Sequence, residues 1–290
     1  MADLLYHYTS MNTLHAILDK VADDKLTMRA TEIRYLNDVS ENEIATEILV
    51  EELLNHEKTL EHSESKNIKK YLTKDKVQFF KRIDWEKLFP FIFSLCEDSD
   101  SLPMWNTYAD NALGLAIGLN KEKLKHFDNE ITLKQCDYEQ AEIKEYITQS
   151  IGKIYRSLMI DDFMIGITGD FNNTLWSKFM ESVPLLKHHT FNYEKEWRLV
   201  IDKKVDVSNP KHHFNDLSFN VVNGLPKPYI EFPLDISYIQ EIVIGPCANF
   251  DLAKGSLFMM LKKVGLTPTF EGVEEGKVNI KASKCPYRTI

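Results

Sequence analysis

Apolar positions recur along this chain in two periods, about 2 and about 3.6 residues, and the switching between them predicts short strands interleaved with separate helices. Leu4 to Tyr8 reads as a strand, and Ser10 to Asp19 as a helix capped by the Ser10 hydroxyl. Further strands are predicted at Leu26 to Arg29, Phe91 to Leu95, Leu113 to Leu119 and Thr132 to Cys136. After these come Leu217 to Val222, Tyr229 to Phe232, Glu241 to Ile244 and Lys277 to Ala282. Helical spacing covers Gln140 to Tyr155, Ile160 to Glu181 with a break at Gly166 and Gly169, and Asp251 to Val264. From Val39 to Arg82 there is neither Gly nor Pro, and Ile44, Ile48, Leu49 and Leu53 recur at helical spacing. This predicts a two-helix insertion at about 40–82, its second part, Ser65 to Arg82, rich in lysine and neutralised by the acidic first part. Hairpin-like strand runs mixed with separate helices give an α+β class, with mixed and antiparallel sheets flanked by helices in a single domain spanning 1–290.

Composition adds limits. A chain of 290 residues, 43% hydrophobic and 27% charged, has enough apolar surface for a sizeable core. Its net charge of −9 disfavours sequence-independent binding to a phosphate backbone, although the lysine-rich helix offers a local exception. Cys96, Cys136, Cys247 and Cys285 form no CxxC pair, which argues against a zinc knuckle or a disulfide framework and suits a reducing compartment. No basic leader with a long apolar run opens the sequence, and no segment is apolar enough to span a membrane, so a cytoplasmic location is expected.

Candidate chemistry concentrates at Tyr193-Glu194-Lys195-Glu196-Trp197-Arg198-Leu199-Val200-Ile201. Strand alternation would put Glu194, Glu196 and Arg198 on one face. Two carboxylates beside a guanidinium make either a cross-strand ion pair on a solvated edge or a site, and the residues alone leave both open. Three other clusters accompany it: His7, Tyr8 and Thr9 before a helix start; Arg34 to Glu41, where Asn37, Asp38 or Ser40 can cap the following helix and Asp38 and Glu41 are left available for a site; and Phe93 through Asp110, which includes Ser94 and Tyr108. If a helix starts at Pro103, Trp105 and Tyr108 share a face that can wall a planar group. Phosphate-binding glycine motifs, HExxH, an EF-hand loop and GxSxG are absent. The pairs His188-His189 and His212-His213 would point their members apart in a strand, so no metal site is predicted.

Taken in order, these blocks resemble a known pattern: YHYTS-x-x-x-L-x-x-I-L, then L-N-D-x-x-E, F-S-L-C, M-W-x-x-Y-A-D-N, Y-E-K-E-W-R-L-V and I-V-I-G-P. The pattern is similar to the bacterial domain-of-unknown-function family numbered 2971, with W-x-x-Y-A-D and E-K-E-W-R as its specific parts. Val39 stands where that family commonly has a proline after N-D. The order of histidine, mid-chain aromatic and Glu-x-Glu also resembles ADP-ribosyltransferases, with YHYTS looking like their His-x-Thr.

That second resemblance implies an ADP-ribosyltransferase-like core, NAD as co-substrate without a metal, and a macromolecular acceptor, as in a toxin or phage-defence effector held by a neutralising partner protein. It implies that Glu196 stabilises the ribosyl cation, Glu194 positions or deprotonates the acceptor, and Tyr108 or Trp105 stacks on nicotinamide. His7 would hold the adenosine ribose within a site that includes Tyr8, Thr9, Asn37, Asp38 and Ser94. Arg198 would bind the pyrophosphate or hold Glu196. Two other classes stand beside this one: a noncatalytic nucleotide-binding sensor, and a metal-dependent nuclease of a defence system.

Overall fold

The computed structural model describes residues 3–37, 90–128, 131–139, 183–201 and 216–287, with isolated positions 47, 48, 51, 52, 55, 141, 144, 145, 148 and 149. The first strand, β1 (Leu4–Thr9), alternates Leu5 and His7 with Leu4, Tyr6 and Tyr8, so it presents different chemistry to the two sides of a sheet. Ser10 then turns the chain into helix α1 (Met11–Asp19), its hydroxyl accepting from the Thr13 N–H at 3.1 Å as the sequence predicts. Strands β2 (Lys25–Glu32), β3 (Phe91–Cys96) and β4 (Leu115–Asn120) follow, with helix α2 (Leu102–Tyr108) between the last two. Next come α3 (Lys121–Lys125), β5 (Ile131–Gln135), β6 (Glu196–Ile201), β7 (Ser218–Val222), β8 (Leu225–Asp235) and β9 (Ile239–Ile244). Helix α4 (Phe250–Lys263) and strands β10 (Pro268–Thr269) and β11 (Val278–Ala282) complete the described elements.

These strands make one open sheet in the order β10-β11-β9-β4-β1-β3-β2-β8-β7, with β6 on β3 and β5 on β6. Pairing is antiparallel throughout except at β10–β11 and β11–β9. The protein is therefore α+β, with a mostly antiparallel open sheet flanked by helices. One face carries the larger apolar core, where Leu14, Ile17 and Leu18 of α1 and Leu257 and Leu261 of α4 pack on Leu5, Phe93, Ile117, Leu199 and Ile242. On the other, Met104 and Trp105 of α2 pack on Leu4, Tyr6, Tyr8, Ala116 and Val243. Among the described residues no helix is long and apolar enough to cross a membrane.

The structure corrects some boundaries. The fourth strand begins at Leu115 and not Leu113, because Asp110, Asn111 and Ala112 all have positive φ and curl the chain into a tight turn after α2. The predicted strand at Tyr229 to Phe232 extends in both directions through Pro226, Pro228 and Pro233. Those prolines are tolerated because β7 pairs only residues 225–229 of β8 and β2 pairs only 229–235, so each proline lies where the ladder is one-sided. The insertion at about 40–82 falls almost wholly outside the described residues, as does Ile160 to Glu181. Positions 47, 48, 51, 52 and 55, and likewise 141, 144, 145, 148 and 149, are helical.

Two glycines test this packing in opposite directions. A Cβ on Gly114 would lie 2.3 Å from the Thr9 carbonyl oxygen and 2.9 Å from that of Ala109, both main-chain atoms that cannot swing away. Gly114→Ala is expected to destabilise the protein by about 2 kcal/mol. Gly255 sits within α4 with nothing within 4 Å of a Cβ, so Gly255→Ala is expected to stabilise by about 0.5–1 kcal/mol. Urea unfolding of both variants checks the pair, and equal midpoints for the two would contradict it.

Candidate functional site

The site begins with a defect in the sheet. One edge of β3 pairs β6 over all six residues, from Phe91↔Ile201 to Cys96↔Glu196. The opposite edge is divided: β2 takes Phe91 and Ile92, β1 takes Cys96, and among the described residues Phe93, Ser94 and Leu95 have no strand partner there. In this gap the His7 imidazole does what a strand N–H would do, placing Nδ1 3.1 Å from the Ser94 carbonyl oxygen. A carbonyl only accepts, so Nδ1 carries the proton and Nε2 is left as an acceptor. The ring stacks on Phe93 at 4.4 Å between centroids. Burial lowers the His7 pKa from 6.5, with the Ser94 bond partly opposing it, so the imidazole is neutral at neutral pH.

A cavity of about 300 Å³ opens at this seam, bounded by side chains from both halves of the sheet. That volume lies at the small end of ligand cavities, which run roughly 300–1,000 Å³. His7 and Tyr8 of β1, Arg29 and Thr31 of β2, and Ser94 of β3 contribute to its wall. Tyr108 from α2, Asn37, Lys187, Glu194, Glu196 and Arg198 contribute as well.

The two glutamates arrive by different routes. Glu196 opens β6, but Glu194 ends a 3-10 turn spanning His189–Glu194, and Lys195 between them is left-handed at φ 41, ψ 51. Simple strand alternation is thus wrong for Glu194. The left-handed residue nevertheless returns both carboxylates to one cation, the Lys187 ammonium, which donates to Glu194 Oε2 and, at 2.5 Å, to Glu196 Oε2. Lys187 is delivered by a segment fastened to the end of β5: the Asp137 N–H donates to the Leu185 carbonyl at 2.7 Å, and the Lys187 N–H to the Asp137 carbonyl at 3.1 Å.

Every side-chain donor to Glu196 converges on Oε2. Besides Lys187 these are Arg198 Nη2 at 3.0 Å and the Cys136 thiol at 3.7 Å, and among the described residues Oε1 accepts no hydrogen bond. The Glu196 N–H meanwhile donates to the Tyr138 hydroxyl at 2.8 Å. Burial alone would raise the Glu196 carboxyl, but the Arg198 guanidinium and Lys187 ammonium outweigh it and hold it down at about 2. Burial alone would lower Lys187, and the two carboxylates reverse this and push it above the ordinary lysine value. Tyr108 donates to Glu194 Oε1 at 2.8 Å and accepts from Asn37 Nδ2 at 3.4 Å; its phenol is raised by burial and then by Glu194.

Of the residues singled out from sequence, His7, Tyr8, Asn37, Ser94, Tyr108, Glu194, Glu196 and Arg198 meet at this one cavity. Others do not. Trp105 is fully buried on the α2 side of the sheet, where its indole donates to Asp100 Oδ1 at 2.8 Å, so it packs the core while Tyr108 reaches the cavity. Thr9 is buried and does not border the cavity, and Asp38 lies outside the described residues. Arg198 is buried between Glu196 and the Pro184 carbonyl, 2.8 Å from Nη1, a position that holds Glu196. The rings of His188 and His189 do not point apart; they lie 4.2 Å from each other, because the pair enters a 3-10 turn and not a strand.

Sequence reasoning missed Lys187, Tyr138, Arg29 and Lys227. A lone lysine directly after the apolar run Val183-Pro184-Leu185-Leu186 was the available signal for the first. Among the described residues no group of three or more His, Cys, Asp or Glu is arranged to hold a metal ion.

The depressed Glu196 carboxyl sets an acid limb for stability. Its folded value of about 2 lies below the ordinary 4.5, so between these the unfolded chain binds a proton that the folded chain does not. Its contribution is complete above about pH 4.5 and is lost as pH falls toward 2. Urea unfolding across that window should show stability falling by on the order of 2–3 kcal/mol from this group, and Glu196→Gln should remove that part of the slope. An identical slope in the variant would show that Glu196 is not the group responsible.

Comparison with known proteins supplies one match. No curated protein and no solved structure matches the chain. The family recognised from the W-x-x-Y-A-D and E-K-E-W-R blocks is the one whose model matches, over residues 104–199, and it is described as "Protein of unknown function (DUF2971)".

Proposed function

We propose that the protein is an NAD-dependent ADP-ribosyltransferase acting on a macromolecular acceptor. The observation that carries this reading is the meeting of a neutral histidine, an aromatic side chain and two glutamates around one cavity, from three separate segments of the chain. Cleaving a nicotinamide–ribose bond builds positive charge on the ribose, and a fixed carboxylate in a water-poor site stabilises that charge.

Each residue has a part that its contacts support. Glu196 is clamped through Oε2, leaving Oε1 to accept from a ribose hydroxyl and to face the developing charge. Tyr108 offers its ring to the nicotinamide, with its hydroxyl tied to Glu194. His7 Nε2 accepts from the adenosine ribose, because Nδ1–H is committed to Ser94. The C1′–N bond breaks with its electron pair leaving on the nicotinamide nitrogen. An acceptor oxygen or nitrogen bonds to C1′ and passes its proton to Glu194. Arg198 acts on Glu196 and not on the pyrophosphate.

The test is nicotinamide release from NAD, with adenylate-labelled NAD and cell lysate to follow the label into protein or nucleic acid. Wild-type protein is expected to release nicotinamide, and Glu196→Gln and Glu194→Gln, checked for folding by circular dichroism, to lose about 100-fold or more of the rate. Thermal stabilisation by NAD without nicotinamide release would replace the transferase by a sensor. Neither binding nor release would overturn the NAD reading altogether.

A further inference from the structure

We propose that Lys187 is a positioning residue that keeps Glu194 and Glu196 ionised at the same time and directed into one cavity. Its purpose in catalysis rests on the transferase reading, while its effect on the glutamates does not. Lys187 is 5% exposed and reaches the carboxylates from outside the 3-10 turn and the strand that carry them. Its ammonium is the meeting point of both, donating to an Oε2 atom of each. The pairing is unequal. Glu196 has a second cation in Arg198, whereas among the described residues Lys187 is the only cation paired with Glu194, whose other partner is the neutral Tyr108 hydroxyl.

Removing the lysine therefore does not weaken the two glutamates alike. Two carboxylates close together in a buried site cannot both stay charged without a counterion, and one of them takes up a proton. Arg198 would keep Glu196 charged, so the proton falls to Glu194. A protonated Glu194 cannot receive the proton of an acceptor, so loss of Lys187 removes one half of the proposed chemistry through its effect on Glu194. The other groups that face the pair do not blur this assignment. The phenols of Tyr108, Tyr138 and Tyr193 and the Cys96 thiol are all raised above the ordinary value, chiefly by burial, and Cys136 donates to Glu196 as a thiol.

The test is a carboxyl carbon-13 NMR titration of the full chain labelled on glutamate, comparing wild type, Lys187→Met and Lys187→Arg. Lys187→Met is expected to gain one carboxyl that titrates between about pH 5 and 8, above the usual range for Glu. This signal should be absent from Lys187→Arg and from the double variant Lys187→Met with Glu194→Gln. If nicotinamide release is measurable, the acid limb of its pH profile should move up by roughly 1–3 pH units in Lys187→Met and return in Lys187→Arg.

A folded Lys187→Met with the wild-type titration would overturn the proposal, whether or not NAD is a substrate. If Lys187→Met does not fold, recovery of the fold in the double variant supports the pairing, and a double variant that remains unfolded overturns it.

Discussion

The arrangement of this protein depends on how one strand edge is shared. Among the described residues one edge of strand β3 is paired only at its ends, by β1 at Cys96 and by β2 at Phe91 and Ile92, and its middle is left without a ladder. A buried main-chain carbonyl left without a partner is costly, and the Ser94 carbonyl is served by the His7 side chain. The same bond that repairs the sheet fixes the tautomer of the histidine and lines the cavity with it. Structure and candidate chemistry are thus one interaction seen from two sides, and a change at His7 perturbs both.

Charge is the second constraint, and it is settled locally. Glu194, Glu196, Lys187 and Arg198 are each almost completely removed from solvent. Such a group is tolerable only with its partners in place, and deleting one member typically costs about 3–5 kcal/mol because another is then stranded. Among the described residues the cluster joins two carboxylates to two cations, which allows burial. It is not symmetric, because both cations concentrate on Oε2 of Glu196 and leave its Oε1 uncommitted. Balance accounts for the stability of such a site, and asymmetry provides what a ligand can use.

Particular residues show how far the sequence could be read. His7 is legible as a histidine on the first strand just before a helix start, and Tyr108 from its spacing of three after Trp105. Trp105 was misread, since a spacing of three puts two side chains near one another but does not say which faces the core; packing on Tyr8 and the bond to Asp100 settled it. Glu194 was placed on the correct side for the wrong reason. Strand periodicity would carry it there, yet the chain at that point is a 3-10 turn closed by a left-handed lysine, which alternation cannot describe.

By itself the sequence determined the local structure: where strands alternate, where Ser10 starts a helix, the α+β class, and which segments concentrate polar residues. Those features follow from side-chain periodicity and capping, which act over a few residues. Only the tertiary structure decided that β3 is divided between β1 and β2, that Lys187 reaches both glutamates, and that Arg198 serves Glu196. Each of these joins residues through packing and pairing across the fold, where electrostatic balance and the filling of space, not spacing along the chain, choose the partner.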